Sequence, residues 1–423
     1  MAEAGGTVHI VGAGLAGLSA AVRLTEAGRR VVLHEAAPHA GGRCRSFHDP
    51  RLDRVIDNGN HLVLSGNRAV RAYLARIGAG DRLVAGEARF PFVDLSTGAR
   101  WSVAPNAGPL PWWVLSCARR VPGTGAADYL SLLRLKRAPR GATVAEALGD
   151  RGPLWTRFWE PLTLAVLNMP PERAAARLLT PVLAETFLKG AAHSRPMLAP
   201  EGLGEALVAP AVGWLTARGA EIRHGRTLRA VSAEGARATA LRFSDGAETL
   251  GPRDAALLAL PAWRLGAVLP ELTVPEGSGA ILNAFFRLAP EDAAHVAHGP
   301  PILGVLGADT QWIFRRGDVA SVTVSASDAL GLDAVPGAEL IPRLWAETRA
   351  ALGLSPSSTY VGARINKERR ATFDQSPAGI ARRPTARTPL ANLVLAGDAT
   401  DTGLPATIEG AIRSGETAAR LLA

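Results

Sequence analysis

The chain has 423 residues, 47% of them hydrophobic and 20% charged; that is enough apolar mass for two domains and too much for a disordered chain. Lysine and arginine number 47 against 38 acidic residues, a formal charge of +9. Such a charge admits anionic surfaces as partners, and it is equally a mark of arginine-rich genomic composition.

In chain order, Val8 to Val11 is a short apolar run suited to a buried parallel strand. Gly12, Gly14 and Gly17 then complete G-x-G-x-x-G. Leu15 to Leu24 predicts a helix closed by Gly28, and RVVLHE predicts a second strand ending at Glu35, 18 residues after Gly17. Gly12 permits the tight turn, Gly14 lets a pyrophosphate approach the backbone, and Gly17 brings helix and strand close. The helix start at Leu15 and Ala16 offers unpaired N–H groups and the positive end of the dipole to phosphates. Glu35 can accept hydrogen bonds from a ribose 2′-OH, which favours a dinucleotide without a 2′-phosphate. The plain alternative is a set of glycines that serve helix packing alone.

After Glu35 comes AAPHAGGRCRS, with Gly41-Gly42-Arg43 close behind the acid. This arrangement resembles the glutathione-reductase-like FAD proteins, and among them the amine oxidase and phytoene desaturase branch. The resemblance implies an α/β fold with a Rossmann-like FAD-binding domain. Gly42 would run close to the cofactor, with Arg43 near its phosphates or flavin; a surface arginine is the alternative. Cys44 reads as a small filler, since nothing around it specifies an activating base. IDNGNH, from Ile56 to His61, continues the resemblance. Asn58 and Gly59 would bring the chain to the flavin region, and His61 would face flavin or substrate, or else be a hydrogen-bonded core histidine.

LGEALVAPAVGWLTAR puts Leu203, Leu207, Ala211 and Leu215 on one helical face, ended by Gly219. Short strand patterns follow: EIRHG, TLRAVSA, ATALRFS, a turn at Asp245-Gly246, and DAALLALP. In the amine oxidase family such a helix and β-meander return to the FAD domain, where the backbone at the position of Val231 contacts adenine. The resemblance thus implies a discontinuous FAD domain from 1–95, 200–270 and 360–423. An interleaved α+β substrate domain would come from 96–199 and 271–359.

The first insertion carries GPLPWWVLSCARRVPGTGAADYLSLLRLKRAPR. Adjacent tryptophans lead into Arg119, Arg120, Arg134, Lys136, Arg137 and Arg140, opposed by Asp128. Aromatics beside cations suit an anionic membrane surface; ordinary helix pairs with a solvated basic face are the alternative. Nucleic acid is excluded as a partner, because no recognised nucleic-acid fold accompanies the charge. WEPLTLAVLNMPPERAAARLL, from Trp159, would line a hydrophobic tunnel or form plain core. No segment supplies the roughly 20 uninterrupted apolar residues of a spanning helix. The opening MAEAGGTVHIV lacks the basic and apolar regions of a signal peptide. Cys44 and Cys117 make neither a disulfide framework nor a metal cluster. The expectation is a cytoplasmic protein, with peripheral contact to the inner membrane face open.

Near the end, LAGDATDTGLPATIEGAIRSG reads as a strand, a turn and a helix. In the superfamily the last strand ends in Gly-Asp, here Gly397-Asp398, whose carboxylate bonds the ribityl chain or adjoining groups. Thr407, Ile408 and Glu409 then start a helix aimed at the flavin, and a positive helix end there stabilises reduced flavin. Monoamine-type relatives carry an aromatic cage residue where this chain has Thr407, which argues against an amine substrate. No cysteine precedes the motif, so the flavin is expected to be non-covalent. NKERRATFDQSP and PLTLAVLNMPPE, with DTGLPATIEGA, are similar to the squalene-associated FAD enzymes of bacterial hopanoid synthesis, the hydroxysqualene dehydroxylases, over nearly the whole chain. Ala399 departs from an aromatic residue expected after Gly-Asp and would leave space near the flavin.

That likeness implies reductive removal of an allylic hydroxyl, hydride passing from reduced FAD to an allylic cation, and association with the prenyltransferases that make the substrate. Asp57, His61 and Glu409 stand as proton-donor candidates by position in the motifs, Glu409 rather as a structural residue. Two alternatives stay open: a carotenoid-type desaturase, which oxidises its polyene, and a flavin-free prenyl-binding escort protein. Glu35 with Gly397-Asp398 argues against the escort.

Overall fold

A computed structural model describes residues 6–149 and 152–423. Residues 1–5, with which the stretch lacking a signal pattern begins, lie outside it, as do 150–151. Five short parallel strands form the first sheet. Their order is Glu221–Arg223, Arg30–His34, Thr7–Val11, Ala255–Leu258, Leu393–Leu395. The central strands are continuous apolar runs because both faces are covered. Val8, Ile10, Leu257 and Val394 pack toward the helices Leu15–Glu26 and Ile408–Leu422. Val11, Leu258, Leu393 and Leu395 point the other way, into a core shared with Leu228, Leu241 and Phe243. Those last three belong to an antiparallel meander, Leu228–Glu234, Arg237–Phe243 and Gly246–Thr249. This is the Rossmann-like α/β unit that the glycine motif implied.

The first and last helices approach backbone to backbone. A Cβ at Gly415 would stand 2.2 Å from the Ala16 carbonyl oxygen, and Ser19 Oγ donates to Ile412 O at 3.1 Å. Arg29 donates to the Leu422 carbonyl and, from its other arm, to Gly6 O at 3.4 Å. One guanidinium therefore ties the first strand's entry to the last helix's exit.

A second, seven-stranded sheet runs Tyr360–Phe373, Ser278–Leu288, Val319–Ser325, Trp312–Arg316, Ile302–Leu306, Phe90–Asp94, Arg100–Val103. The boundaries expected at 95 and 360 cut across it: Phe90–Asp94 and Tyr360–Phe373 are its members, not additions to the nucleotide-binding sheet. The cause is long-range pairing, Gly304–Leu306 with Phe92–Asp94 and Ser278–Leu288 with Tyr360–Phe373. Alternation sorts the two faces. Leu282, Ala284 and Phe286 pack with Leu340, Leu344 and Trp345 of helix Gly337–Leu352, and the other face looks into a cavity.

Behind the first sheet, His9 Nδ1 and His34 Nε2 lie 3.1 Å apart with stacked rings. His34 also sits against Phe243 and Arg226. Burial pushes the His34 pKa down to about 3, with His9 and Arg226 acting in the same direction and Glu248 against it. The folded value lies below the unfolded one of about 6.5, so between those values the unfolded chain binds a proton that the fold rejects. Stability from this group is full above about pH 6.5 and is lost as pH falls toward 3. Urea midpoints should therefore drop between pH 7 and pH 4, and His34→Gln should flatten that drop. An unchanged slope in the variant would count against it.

Candidate functional site

The two glycine segments lie side by side at the end of the first sheet. Gly12, at φ +102°, leaves its strand where a Cβ would meet Ala259 O at 2.4 Å, and a Cβ at Gly17 would stand 1.9 Å from Gly12 O. Both must be glycine for the turn to close. Gly14 differs: nothing lies within 4 Å of where its Cβ would be. That open face borders Gly42, whose own Cβ would lie 3.5 Å from Gly14 Cα, and Gly41 N donates to Ala13 O at 2.8 Å. Leu15, Ala16 and Gly17 make the first helical turn, whose N–H groups have no acceptor within the helix. The cradle fits a diphosphate. Glu35, half-buried beside it, accepts from Ala13 N at 2.7 Å and Ala37 N at 2.8 Å. Each carboxylate oxygen keeps a lone pair for a sugar hydroxyl. Val231 lies on the meander strand opposite Leu241; that strand is reached through Arg226, whose N–H donates to Glu35 O at 2.9 Å.

At the other end, Gly397 (φ +115°) donates its N–H to Ser414 Oγ at 2.8 Å. Asp398 is buried and pairs with Arg43 at 2.8 Å, and Arg43 also donates to Ala371 O at 2.6 Å. Burial alone would raise the Asp398 carboxyl; Arg43 beside it holds it below the ordinary carboxylate value. Sequence motifs 355 residues apart thus meet in one ion pair. Thr407 caps the last helix by accepting from Gly410 N at 3.1 Å, and Ile408 opens its first turn. Arg383, which no sequence signal singled out, is fully buried. It donates to Leu404 O at 2.8 Å, Asp398 O at 3.0 Å and the Thr400 carbonyl.

Two expectations change, those for Asp57 and Ala399. Glu409 is buried and accepts from the N–H groups of Ala69 and Val70, each at 3.0 Å, and from Arg413. It caps helix Arg68–Arg76 and is committed there. Asp57 accepts from Ser46 and from Leu203 N and pairs with Arg316 at 2.7 Å; it does not line the cavity. Asp57 is therefore not placed to give up a proton to a substrate; Glu409 borders the cavity, but its carboxylate is engaged by Ala69, Val70 and Arg413. Ala399 is fully buried in the core with Leu258 and Leu393 and adds no space to the cavity.

The cavity runs from Arg43, Asn58 and Thr407 to the second sheet, with a void of about 1890 Å³ including open solvent at its mouth. Phe90, Phe92, Phe158, Leu162, Phe187 and Trp312 give it an apolar wall. Leu162 and Val166 come from helix Glu160–Leu167, so the stretch read as tunnel or core contributes to both. The polar end holds His61, Asn60, Asn283, Thr323 and Glu368. His61 Nδ1 lies 3.0 Å from Gly59 O. A carbonyl only accepts, so Nδ1 carries the proton and Nε2 presents a lone pair. Burial pushes its pKa below the ordinary histidine value, although the Gly59 carbonyl opposes this. Glu368 accepts from Asn58 Nδ2 at 3.3 Å, and no ion pair engages it among the described residues. In the sequence it was one acid in a charged strand.

Among the described residues no helix is long and apolar enough to cross a membrane. Leu110, Trp112, Leu115, Leu130 and Leu133 are 45–77% exposed, whereas Trp113 is buried. Arg119 stacks over the Trp112 ring at 5.3 Å.

A family model described as flavin containing amine oxidoreductase matches residues 15–423. The chain is 44% identical to the hydroxysqualene dehydroxylase of Rhodopseudomonas palustris over 98% of both chains. To the hydroxysqualene dehydroxylase of Zymomonas mobilis it is 42% identical, again over 98% of each. Among solved structures, putrescine oxidase bound to putrescine matches with a TM-score of 0.71 over 98% of both chains, at 15% identity. At that identity the likeness is one of fold.

Proposed function

The chain belongs to the family of flavin-containing amine oxidoreductases, and on that premise we propose that it removes the hydroxyl of hydroxysqualene reductively, giving squalene, with FAD as its cofactor. The observation that carries this reading is identity of 42–44% to two hydroxysqualene dehydroxylases along nearly the whole chain. An apolar cavity ending in a small polar cluster supports it, since the substrate is a long hydrocarbon with one oxygen.

In this reading Gly12, Gly14, Leu15, Ala16, Gly17 and Gly42 seat the diphosphate, Glu35 the ribose and Val231 the adenine. Arg43, Asn58, Gly59, Gly397, Asp398, Thr407 and Ile408 hold the flavin half. Strands Phe90–Asp94 and Tyr360–Phe373 fall on the substrate side of the division between the two units. FAD held there in its reduced form would supply the hydride, and with it the two electrons of the new C–H bond. The C–O bond breaks with its electron pair on oxygen, which leaves as water after taking a proton at the polar end of the cavity, where Glu368 stands. Phe90, Phe92, Phe158, Phe187 and Trp312 exclude other water, which would recapture the allylic cation.

Mass spectrometry of products from holoenzyme, hydroxysqualene and a reductant tests this. Squalene is expected, and Glu368→Gln should lower kcat at least about 100-fold while flavin stays bound. Consumption of phytoene under oxidising conditions, with no squalene from hydroxysqualene, would replace the reading with a desaturase.

We further read the exposed Leu110, Trp112, Leu115, Leu130 and Leu133, with Arg119, Lys136, Arg137 and Arg140, as a surface for an anionic membrane leaflet. Its loop is pinned to the cavity wall: Ala191 N donates to Asn106 O at 2.7 Å, a few residues past Phe187. Apolar side chains would enter the lipid while cations meet its headgroups. Co-sedimentation with phosphatidylcholine vesicles should rise when phosphatidylglycerol is included. Trp112→Ser with Leu115→Ser should lower that binding about tenfold without lowering the melting temperature. Equal binding by the double variant would remove the membrane from the account.

A further inference from the structure

Across the cavity face of the second sheet the side chains are aromatic or aliphatic at Phe92, Trp312, Phe314 and Ile281, then turn polar at Asn283 and Thr323. Asn283 is 1% exposed. A buried amide is costly unless its groups are bonded, so where each goes matters. Two donors converge on its Oδ1: Asn60 N–H at 3.4 Å and the Thr323 hydroxyl at 3.0 Å. A backbone N–H only donates, which fixes which amide atom is oxygen. Thr323 in turn accepts from Asn60 Nδ2 at 2.9 Å, so its own proton is free for Asn283. The amide nitrogen is left on the far side. No hydrogen bond engages Asn283 Nδ2 among the described residues, and it faces Gly59, where an added Cβ would stand 3.2 Å away. The same Cβ would lie 3.9 Å from His61 Cε1. Gly59, His61 and Asn283 all line the cavity, so an amide with two free N–H groups and an imidazole with a free lone pair border the same space.

We infer that Asn283 is the specificity-determining residue for the substrate's hydroxyl: its Nδ2 donates to the hydroxyl oxygen, and His61 Nε2 accepts the hydroxyl proton. This rests on the function proposed above. A single alcohol needs one donor and one acceptor, and these two cavity-lining groups supply both. Thr323 and Asn60 are positioning residues that hold the amide in that orientation. Once the oxygen has left, Nδ2 faces a hydrocarbon and stays unpaired. A site built to bond a hydroxyl discriminates against the molecule that lacks it, so substrate is preferred over product.

Oxidised holoenzyme without reductant cannot turn over, so binding is measured by titrating it with hydroxysqualene or with squalene while following the flavin absorbance. Wild type should bind hydroxysqualene at least about tenfold more tightly than squalene. Asn283→Leu should bring the two affinities within about twofold, chiefly by weakening the alcohol. Thr323→Val, close to isosteric, should shift the preference the same way by a smaller factor. If Asn283→Leu keeps the preference, or weakens both ligands equally, the assignment falls. Should that variant fail to fold, an unaltered preference in Thr323→Val overturns it instead. An enzyme that converts hydroxysqualene but binds it no better than squalene sinks the hydroxyl site and leaves the reaction standing. One that does not convert it sinks both.

Discussion

Alanine at Gly14 is expected to yield a folded protein that purifies without flavin, whereas alanine at Gly17 should cost stability as well. The two glycines are three residues apart and do different work. Nothing lies within 4 Å of a Cβ at Gly14, and its φ of −72° suits any residue. A methyl there projects into the groove beside Gly42 and takes up room meant for a diphosphate. Overpacking of that kind costs about 1–3 kcal/mol, roughly 5- to 150-fold in FAD affinity. A methyl at Gly17 would sit 1.9 Å from Gly12 O, a backbone atom that cannot swing aside. Gly12 is itself wedged against Ala259 O, so the strain spreads to the end of strand Ala255–Leu258, and we expect a loss of about 3 kcal/mol in the apoprotein. Flavin absorbance after purification and melting of both flavin-stripped variants check the pair. Wild-type FAD affinity in Gly14→Ala would mean that the phosphates sit elsewhere.

Arg383→Leu should be comparably damaging, from the opposite end of the site. The arginine side chain is fully buried, lies over Phe373 at 4.9 Å and bonds the carbonyls of Asp398, Thr400 and Leu404. Burial pushes its pKa down to about 10, opposed by Asp401 and Asp398. Leucine removes the cost of burying that charge but leaves three carbonyls without donors, each about 1–3 kcal/mol. A net loss of about 3 kcal/mol is expected in urea unfolding, together with loss of flavin as the 398–404 segment loosens. Lysine should not rescue it, because one ammonium cannot reproduce a planar fork spanning three acceptors. A midpoint within about 1 kcal/mol of wild type would refute this role.

What could be read from the sequence was local. The strand, glycine turn and helix from Val8 to Leu24, and the buried face Leu203, Leu207, Ala211 and Leu215, are set by periodicity and punctuation within twenty residues. The cavity was not readable, because its walls come from strands near 90, 281, 312, 323 and 368 brought together by pairing. Asn283 sits in an alternating strand and looks like an outward polar residue until the register with Thr323 is known. Arg383 is one of several arginines in IARRPTAR; only its burial distinguishes it. Asp57 was misleading for the reverse reason. Its motif placed it near the flavin, while its bonds to Leu203 and Arg316, far away in sequence, commit it to holding neighbouring elements.

The seam between the first and last helices, with Arg29 clasping both ends, has a consequence for biosynthesis. The sheet begun at Thr7–Val11 gains its second outer strand only at Leu393–Leu395, and helix Leu15–Glu26, touched earlier by helix Ala209–Thr216, gains most of its cover only at Ile408–Leu422. At 5–20 residues per second, the ribosome takes roughly 20–80 s to travel between them. Throughout that interval the nascent chain carries an apolar helix face and an open parallel edge. Chaperone occupancy of this segment should therefore persist until Ile408–Leu422 has left the ribosome, and cofactor capture should wait for that helix.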